Sequence, residues 1–420
     1  MTAAAESGHA AGEDITTYNP FEGNRLGIGG MPGVMAARIE DRVVVVDFAD
    51  WTARRFHHQW LRHCCYCPLC GNAADGIRFH TVASFDRDLR PARVETPGGD
   101  LVVTWPDGHL SAYGADWLIH NSYERVDRDR RSAWRPTLWK AELTDDFPSI
   151  DWSEATDGGA GHLRALTMLR DYGLLRIAGI GLDPGRTEAL AALLGPIHET
   201  SVYSRIFEVR TEAVSKLGSK TAMAQAPHTD DAFYYSQPGI VVFHMLANTT
   251  VGGTSTYVDG FAVAESLRTE APEAFATLTA LPIDHIRRHP GEIDTRSRGP
   301  LISLDERGQV SGIRYFDRAL APLDVDHDDM DRLYDAVREY NRRVIDPAFT
   351  ATIQIPAGDG MFIDNHRAHH GRTAFEPTEP RRIRTCHVPR DEFHGRLREL
   401  SRRFHPETHD LALPQGSRPT

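Results

Sequence analysis

Short apolar segments separated by turn residues fill the second half of the chain and restrict its possible folds more than any other feature. We predict that five of them are buried strands: GIVVFHML, TSTYVDGFAVAESL, PLISL, ATIQIP and DGMFIDN. Two stretches between them have amphipathic helical spacing, DPGRTEALAALLG and MDRLYDAVREYNRRVID. Many short strands with few helices favour a β-sandwich or jelly roll over a sheet of repeating βαβ units.

The length of the chain predicts two domains. A single hydrophobic core rarely grows beyond about 250 to 300 residues, and this chain has 420. Short strand-like runs such as RVVVVDF and DLVVTW precede a stretch that contains proline and tryptophan, after which the longer apolar segments begin. We therefore predict a small β-rich N-terminal domain over residues 21–140, a second domain over 141–405, and unstructured tails at 1–20 and 406–420.

Charge and hydropathy exclude several classes of partner. The chain has 47 lysine and arginine residues against 59 aspartate and glutamate residues, and its net charge of -12 opposes general attraction to nucleic acid. No run of about 18 apolar residues could span a bilayer, and the first 20 residues lack the features of a signal peptide. We expect a folded cytoplasmic protein that acts on a small molecule, without nucleic-acid or membrane partners.

Four of the five cysteines, Cys64, Cys65, Cys67 and Cys70, fall within seven positions, whereas Cys386 stands alone. In a reducing compartment this crowding indicates a metal site rather than disulfide bonds. Thiolates so close together would repel one another unless a cation held them, and zinc is the usual cation.

The segment QAPHTDDAFYY places His228 and Asp230 two residues apart, so on an extended strand both side chains point to one face. Taken alone, such a pair is more often an exposed turn or a hydrogen-bonded pair than a metal site. A histidine from GDGMFIDNHRAHHGRTAF would complete two histidines and one carboxylate, which leave adjacent positions open on iron(II). Two positions can accept 2-oxoglutarate and one can accept O₂, so this pattern predicts a non-haem iron oxygenase.

Seven stretches carry a family resemblance: WLRHCCYCPLC, WPDGHLSAYGADWL, HTDDAFYYSQPGIVVFHML, GGTSTYVDGF, DERGQVSGIRY, DNHRAHHGR and RDEFHGRLREL. From about residue 42 to 400 the chain resembles the γ-butyrobetaine and trimethyllysine hydroxylases of the taurine dioxygenase-like superfamily. The resemblance implies a mainly β (α+β) protein with a double-stranded β-helix (jelly roll) catalytic domain and a small β-rich N-terminal zinc-binding domain. It also implies an Fe(II)- and 2-oxoglutarate-dependent dioxygenase that forms a homodimer.

The resemblance implies roles for individual residues at the iron site. The histidine of the family's HGR triplet is its second histidine ligand to iron, which indicates His370 here, with His369 as the main competitor. An arginine on the following strand anchors 2-oxoglutarate, which indicates Arg381 first and Arg384 next. The family often has a hydroxyl residue near the co-substrate, and the corresponding residue here is Ser255.

The same resemblance pairs a CxCxxC motif with the histidine of a WPDxH segment. The predicted zinc ligands are therefore Cys65, Cys67, Cys70 and His109, with Cys64 as a possible replacement for Cys65. Four protein ligands leave no position open on zinc, so this site is expected to be structural.

Relatives that hydroxylate trimethylammonium compounds hold the cation in an aromatic cage. Tyr203 and Phe207 match two cage positions, but Lys220 and His387 occupy others, and Arg314 lies where the family binds the substrate carboxylate. With these five residues as the predicted substrate contacts, we expect oxidation of a small polar metabolite. If the basic residues face the pocket, this metabolite would be anionic. We do not expect γ-butyrobetaine itself to be the substrate.

Other functions compete with this interpretation. One is a γ-butyrobetaine-type hydroxylase acting on a quaternary ammonium substrate, and another is a jelly-roll metal-binding protein without catalysis, against which the intact ligand set argues. Halogenases of the superfamily replace the carboxylate ligand by a small residue, so Asp230 argues against that activity. The N-terminal domain could also dock a partner.

Overall fold

The computed structural model describes residues 20, 23–50, 52–200, 204–210, 221–289, 291–376 and 381–405. The chain divides into two compact units between Ala133 and Trp134. This division precedes the predicted boundary at 140, because the connecting stretch packs with the second unit. There the backbone N–H of Thr137 donates to Asp171 and the indole of Trp139 donates to Tyr172. Both predicted tails lie almost wholly outside the described residues.

The first unit is built from small antiparallel sheets and short helices. Its largest sheets have the orders β1-β2-β3 and β6-β7-β8, and aromatic side chains such as Phe56, Trp105 and Tyr113 fill its core. Its elements are β1 (Val34–Ile39), β2 (Val43–Phe48), β3 (Ala53–His57), α1 (His58–His63), β4 (Gly71–Asn72), β5 (Ile77–Arg78), β6 (Arg93–Glu95), β7 (Leu101–Thr104), β8 (Leu110–Tyr113), α2 (Ala115–Asn121) and α3 (Arg125–Arg131).

The second unit contains two larger sheets that form a jelly roll. Its elements are β9 (Ser149–Asp151), α4 (Trp152–Ala155), α5 (Ala160–Tyr172), β10 (Leu174–Ala178), α6 (Arg186–Ala192), β11 (Phe207–Arg210), β12 (Gln225–His228), β13 (Ile240–Asn248), β14 (Ser255–Asp259), α7 (Gly260–Glu270), α8 (Pro272–Ala280), β15 (Pro282–His289), β16 (Ile293–Pro300), β17 (Ile302–Leu304), β18 (Val310–Ile313), α9 (Met330–Val344), β19 (Thr350–Ile353), β20 (Gly360–Asp364), β21 (Ala368–Arg372), β22 (Arg381–Val388) and α10 (Arg390–Phe404).

The larger sheet has the order β11-β22-β13-β20-β10-β9, and only the β9–β10 pair is parallel among its described strands. The smaller sheet has the antiparallel order β12-β21-β14-β19. Side-chain alternation on β20 explains how the larger sheet is covered on both faces. Met361 and Ile363 join the cluster that includes Tyr257 of the smaller sheet, whereas Phe362 packs on the opposite face with residues of α5 and α10.

Helices α7, α8 and α9 form a third layer with the β15–β16 and β17–β18 ribbons. The apolar run from Phe261 to Leu267 is part of α7, so the prediction of one long strand there is wrong beyond Asp259. Asp259 begins the helix because its carboxylate accepts a hydrogen bond from the backbone N–H of Phe261. Within the described ranges, no helix has the length and apolar character needed to cross a bilayer.

Candidate active site

Two histidines and a carboxylate converge where β12 and β21 meet. His228 ends β12 and lies directly opposite His370 on antiparallel β21, and Asp230 follows just beyond the strand. The Nε2 atoms of both histidines lie 3.5 Å from Oδ1 of Asp230. One metal ion can be reached by all three side chains, whose ligand atoms lie within 4.8 Å of one another. The three residues predicted as iron ligands are therefore neighbours in the fold.

Hydrogen bonds and charge prepare these side chains as ligands. Nδ1 of His228 lies 2.9 Å from the carbonyl oxygen of Ala226, so it donates its proton there and Nε2 presents a lone pair. Burial lowers the pKa of His228 and so favours the neutral ring. Burial alone would raise the pKa of Asp230, but the surrounding histidines, His370 foremost, hold that pKa well below its ordinary value. Neutral imidazoles and a carboxylate form the donor set that suits iron(II).

His369, the alternative to His370, points to the other face of β21. Its Nε2 lies 2.7 Å from the hydroxyl of Tyr340, and its ring packs against Tyr315. Burial lowers the pKa of His369 to about 3. Because this imidazole is fully buried away from Asp230, it serves the packing of α9 and not the metal centre.

A cavity of about 280 Å³ lies between the two sheets and includes the three candidate ligands in its wall. Predicted Ser255, Phe207 and Arg381 also line it, whereas Tyr203 and Lys220 lie outside the described residues. The remaining lining residues are Val209, Gln225, Asp231, Phe243, Tyr257, Arg287, Phe316, Arg318, Ile355, Gly371, Arg372, Ile383 and Thr385.

Strand alternation on β22 separates the two arginines predicted to anchor 2-oxoglutarate. Arg381, Ile383 and Thr385 line the cavity. Arg384 points to the opposite face, where its guanidinium donates to the carbonyl oxygen of Pro184. The prediction of Arg384 as an anchor is therefore wrong.

Arg381 is a buried cation at the cavity wall. In the part of the chain that the structure describes, its Nε has no hydrogen-bond partner. Burial lowers the pKa of Arg381 to about 10, and nearby Arg372 adds to this effect. A buried guanidinium with a free donor fits the distal carboxylate of a dicarboxylic acid.

Neither Arg314 nor His387, two of the predicted substrate contacts, lines the cavity. The guanidinium of Arg314 donates to the carbonyl oxygens at 232, 234 and 235, so it braces the segment that follows Asp230. His387 has its Nε2 3.4 Å from Oδ2 of Asp230, so it supports the carboxylate.

Three further arginines, Arg287, Arg318 and Arg372, line the cavity without having been predicted. Arg372 belongs to the HGR triplet and follows His370 by two residues, so strand alternation could have indicated it. Arg287 lies on the β15–β16 ribbon, far along the chain from the ligand motifs, and only the folded chain reveals it.

The first unit holds the second cluster of candidate ligands. Nε2 of His109 lies 3.6, 3.8 and 3.5 Å from the sulfur atoms of Cys65, Cys67 and Cys70. A tetrahedral zinc ion with bonds of about 2.3 Å to sulfur and about 2.0 Å to nitrogen needs sulfur and nitrogen atoms about 3.5 Å apart. The four predicted residues fit such an ion.

Neighbouring residues distinguish the members of this cluster from Cys64. Nη1 of Arg62 lies 3.2 Å from the sulfur of Cys70. Cys64 belongs to the hydrophobic core cluster of the first unit, with Nη2 of Arg78 3.7 Å from its sulfur, and burial raises the pKa of its thiol to about 11. The converging group contains Cys65 and not Cys64.

Comparison with known proteins decides the family. The model of the taurine catabolism dioxygenase TauD, TfdA family matches residues 135–387. The chain belongs to this family. The N-terminal model described as gamma-butyrobetaine hydroxylase-like matches residues 35–119 of this TauD-family chain.

Curated relatives agree over most of the TauD-family chain. Gamma-butyrobetaine dioxygenase of Pseudomonas sp. (strain AK-1) is 35% identical, with 86% of this chain and 94% of the relative covered. Mitochondrial trimethyllysine dioxygenase of Gallus gallus is 31% identical, with 82% of this chain and 83% of the relative covered.

Among solved structures, non-heme iron oxygenase OrfP in complex with Fe and alpha-ketoglutaric acid aligns with a TM-score of 0.42 and 20% identity over 55% of this chain and 79% of that one. The predicted family and enzyme class, a 2-oxoglutarate-dependent non-haem iron dioxygenase, are confirmed.

Proposed function

We propose that His228, Asp230 and His370 hold iron(II), and that the enzyme hydroxylates an unactivated C–H bond of a small polar metabolite. The observation that supports this most strongly is the convergence of the three side chains on a cavity that also contains buried Arg381. Bound iron(II) would supply the activation of O₂, coupled to decarboxylation of 2-oxoglutarate to succinate and CO₂.

The protein's own residues orient the co-substrate and exclude water. The fork of Arg381 pairs with the distal carboxylate of 2-oxoglutarate, and the hydroxyl of Thr385, which has no partner among the described residues, lies on the same strand face. Ser255 offers another hydroxyl at the cavity wall. The aromatic rings of Phe243 and Phe316 close other parts of the wall and reduce access of water.

The charge of the cavity wall supports a small polar substrate that carries an anionic group. Phe207 is an aromatic residue at a cage position, but the cavity wall also contains the guanidinium groups of Arg287 and Arg318. Such cations repel a trimethylammonium group and attract an anionic one. The second candidate is a quaternary ammonium substrate, which aromatic residues retained at the cage positions would favour. The names of the relatives describe such substrates for those proteins.

We also propose that Cys65, Cys67, Cys70 and His109 hold a structural zinc ion. Four ligands leave no position open for catalysis. The folding of the first unit then depends on the metal, since the cysteines come from one loop and the histidine comes from a separate hairpin. Homodimer formation through this unit stays a prediction, which size-exclusion chromatography with light scattering checks.

The test of the iron proposal is anaerobic addition of iron(II) and 2-oxoglutarate to the purified protein. We expect a weak visible metal-to-ligand charge-transfer band, and succinate release once air is admitted. His228→Ala should lose both signals, whereas His327→Ala, which changes an exposed histidine of the same unit, should keep them. Iron binding without a 2-oxoglutarate band would contradict the proposal and favour a non-catalytic metal-binding protein.

A further inference from the structure

The two carboxylate oxygens of Asp230 contact different groups. Oδ1 lies 3.5 Å from Nε2 of His228 and 3.5 Å from Nε2 of His370, the ring atoms of the two other candidate ligands. Oδ2 lies 3.4 Å from Nε2 of His387, which is not one of the candidate ligands. One oxygen of the carboxylate therefore belongs to the candidate metal centre, and the other is paired with a third histidine.

Chemistry fixes the direction of the hydrogen bond between His387 and Asp230. A carboxylate oxygen has no proton and can only accept, so Nε2 of His387 carries the hydrogen and donates it. The side chain of His387 is buried, so water competes little for this donor. At 3.4 Å the bond is longer than most N–H···O bonds, and bonds of this kind shorten when a site binds its ligands.

Strand β22 determines where the ring of His387 lies. The residues at 381, 383 and 385 line the cavity, and alternation along the strand places His387 on the same face. Its backbone is held on both sides: it is paired with Val241 on β13, and its carbonyl oxygen accepts a hydrogen bond of 2.8 Å from the backbone N–H of His198. The sheet thus fixes the imidazole independently of the segment that carries Asp230.

The pairing of Oδ2 affects how the carboxylate can bind a metal ion. A carboxylate binds through one oxygen or through both. Binding through one oxygen, together with two histidines, leaves room on iron(II) for both 2-oxoglutarate and O₂. Binding through both oxygens would occupy one of these positions. A hydrogen bond to Oδ2 stabilises the arrangement in which Oδ1 binds alone.

We propose that His387 is a positioning residue of the metal centre. By donating to Oδ2 of Asp230, it restricts the carboxylate to binding iron(II) through Oδ1 and so keeps a position open for the co-substrates. This inference rests on the proposed function and adds a residue to the same site.

Anaerobic titration with iron(II), followed by titration with 2-oxoglutarate, tests the proposal. His387→Phe keeps a planar ring but removes the donor, and it should weaken iron(II) binding roughly 10- to 100-fold, the usual range when a partner of a metal ligand is lost. With iron(II) at saturation, this variant should also bind 2-oxoglutarate more weakly and give a fainter charge-transfer band, because Oδ2 then competes for a position on the metal. His387→Gln should restore both signals, since its Nε2 can donate to the same oxygen.

Cys386→Ala is the matched control. Cys386 precedes His387 on β22, is also buried, and packs on the opposite face in the cluster that includes Ile240 and Phe393. Its replacement disturbs the same strand without removing a partner of Asp230, so iron(II) affinity and the band should match those of the wild type. His387→Asn, whose amide is shorter, serves as the second donor-free variant if His387→Phe does not fold.

The rescue separates positioning from a merely structural role. Wild-type iron(II) affinity and a wild-type band in His387→Phe would overturn the inference, and so would equal losses in His387→Phe and His387→Gln. A wild-type protein without the band contradicts the iron and 2-oxoglutarate assignment itself. A wild-type protein with the band, beside an unaffected His387→Phe, contradicts only the role of His387.

Discussion

Asn365 holds the backbone of Asp230 through two hydrogen bonds that run in opposite directions. The backbone N–H of Asp230 donates to Oδ1 of Asn365 at 2.6 Å, and Nδ2 of Asn365 donates to the carbonyl oxygen of Asp230 at 2.9 Å. Asn365 is fully buried at the start of the turn between β20 and β21. Asn365 thus links Asp230, the candidate carboxylate ligand, to the strand that carries His370. This positioning role was not predicted from the sequence.

Asn365→Ala should lower the affinity for iron(II) roughly 10- to 100-fold, as loss of a group that orients a metal ligand commonly does. The carboxylate remains present but is no longer held in position. Anaerobic iron(II) titration measures the change. Asn121→Ala removes an amide that donates to the carbonyl oxygen of Trp117 in the first unit, and it should leave the iron(II) affinity unaltered. Equal affinities in all three proteins would rule out the positioning role.

Arg381→Gln should weaken 2-oxoglutarate roughly 10- to 100-fold, because a buried charge-assisted pair is lost. Titration of the charge-transfer band with 2-oxoglutarate gives the dissociation constant. Arg384→Gln changes the neighbouring arginine on the opposite face of β22, so its constant should match that of the wild type. The reverse ranking would show that the strand register at this site is misassigned.

Cys65→Ala should abolish stoichiometric zinc binding, whereas Cys64→Ala should retain it. Cys65 contributes its sulfur to the four-ligand cluster, and the adjacent Cys64 packs in the hydrophobic core. Elemental analysis of the purified proteins measures zinc, and thermal unfolding shows the linked loss of stability. Zinc loss from Cys64→Ala with retention in Cys65→Ala would contradict the ligand assignment.

His285→Leu should make the protein less sensitive to acid. Both ring nitrogens of His285 are buried without a hydrogen-bond partner among the described residues. Burial, with Arg314 nearby, lowers the pKa of His285 to about 4. The unfolded chain therefore takes up a proton below about pH 6.5 that the folded chain takes up only near pH 4. Stability falls through this window by up to about 3 kcal/mol.

Denaturant unfolding of wild type and His285→Leu at pH 7.5 and pH 4.5 measures this difference. The leucine variant should lose less stability than the wild type between the two values. His289→Leu changes a histidine on the same strand and should keep the wild-type pH dependence. Parallel losses in wild type and His285→Leu would exclude a contribution from this imidazole.

Local sequence patterns were enough to indicate both clusters of candidate ligands. The spacing of His228 and Asp230, the HGR triplet and the CxCxxC motif each bring chemical groups together over a few residues, so little of the fold is needed to interpret them. Apolar runs likewise predicted β13, β14 and β20. The strand prediction failed after Asp259, because apolar content alone does not separate a buried helix from a buried strand.

The sequence, with its family resemblance, determined the enzyme family and predicted the three candidate iron ligands and the four candidate zinc ligands. Only the tertiary structure decided which side chains share the cavity. Arg384 faces away from it because side chains alternate along β22, and the guanidinium of Arg314 donates instead to the carbonyl oxygens at 232, 234 and 235. Arg287 reaches the site from a distant segment, because a pocket between packed sheets is assembled from residues that lie far apart along the chain.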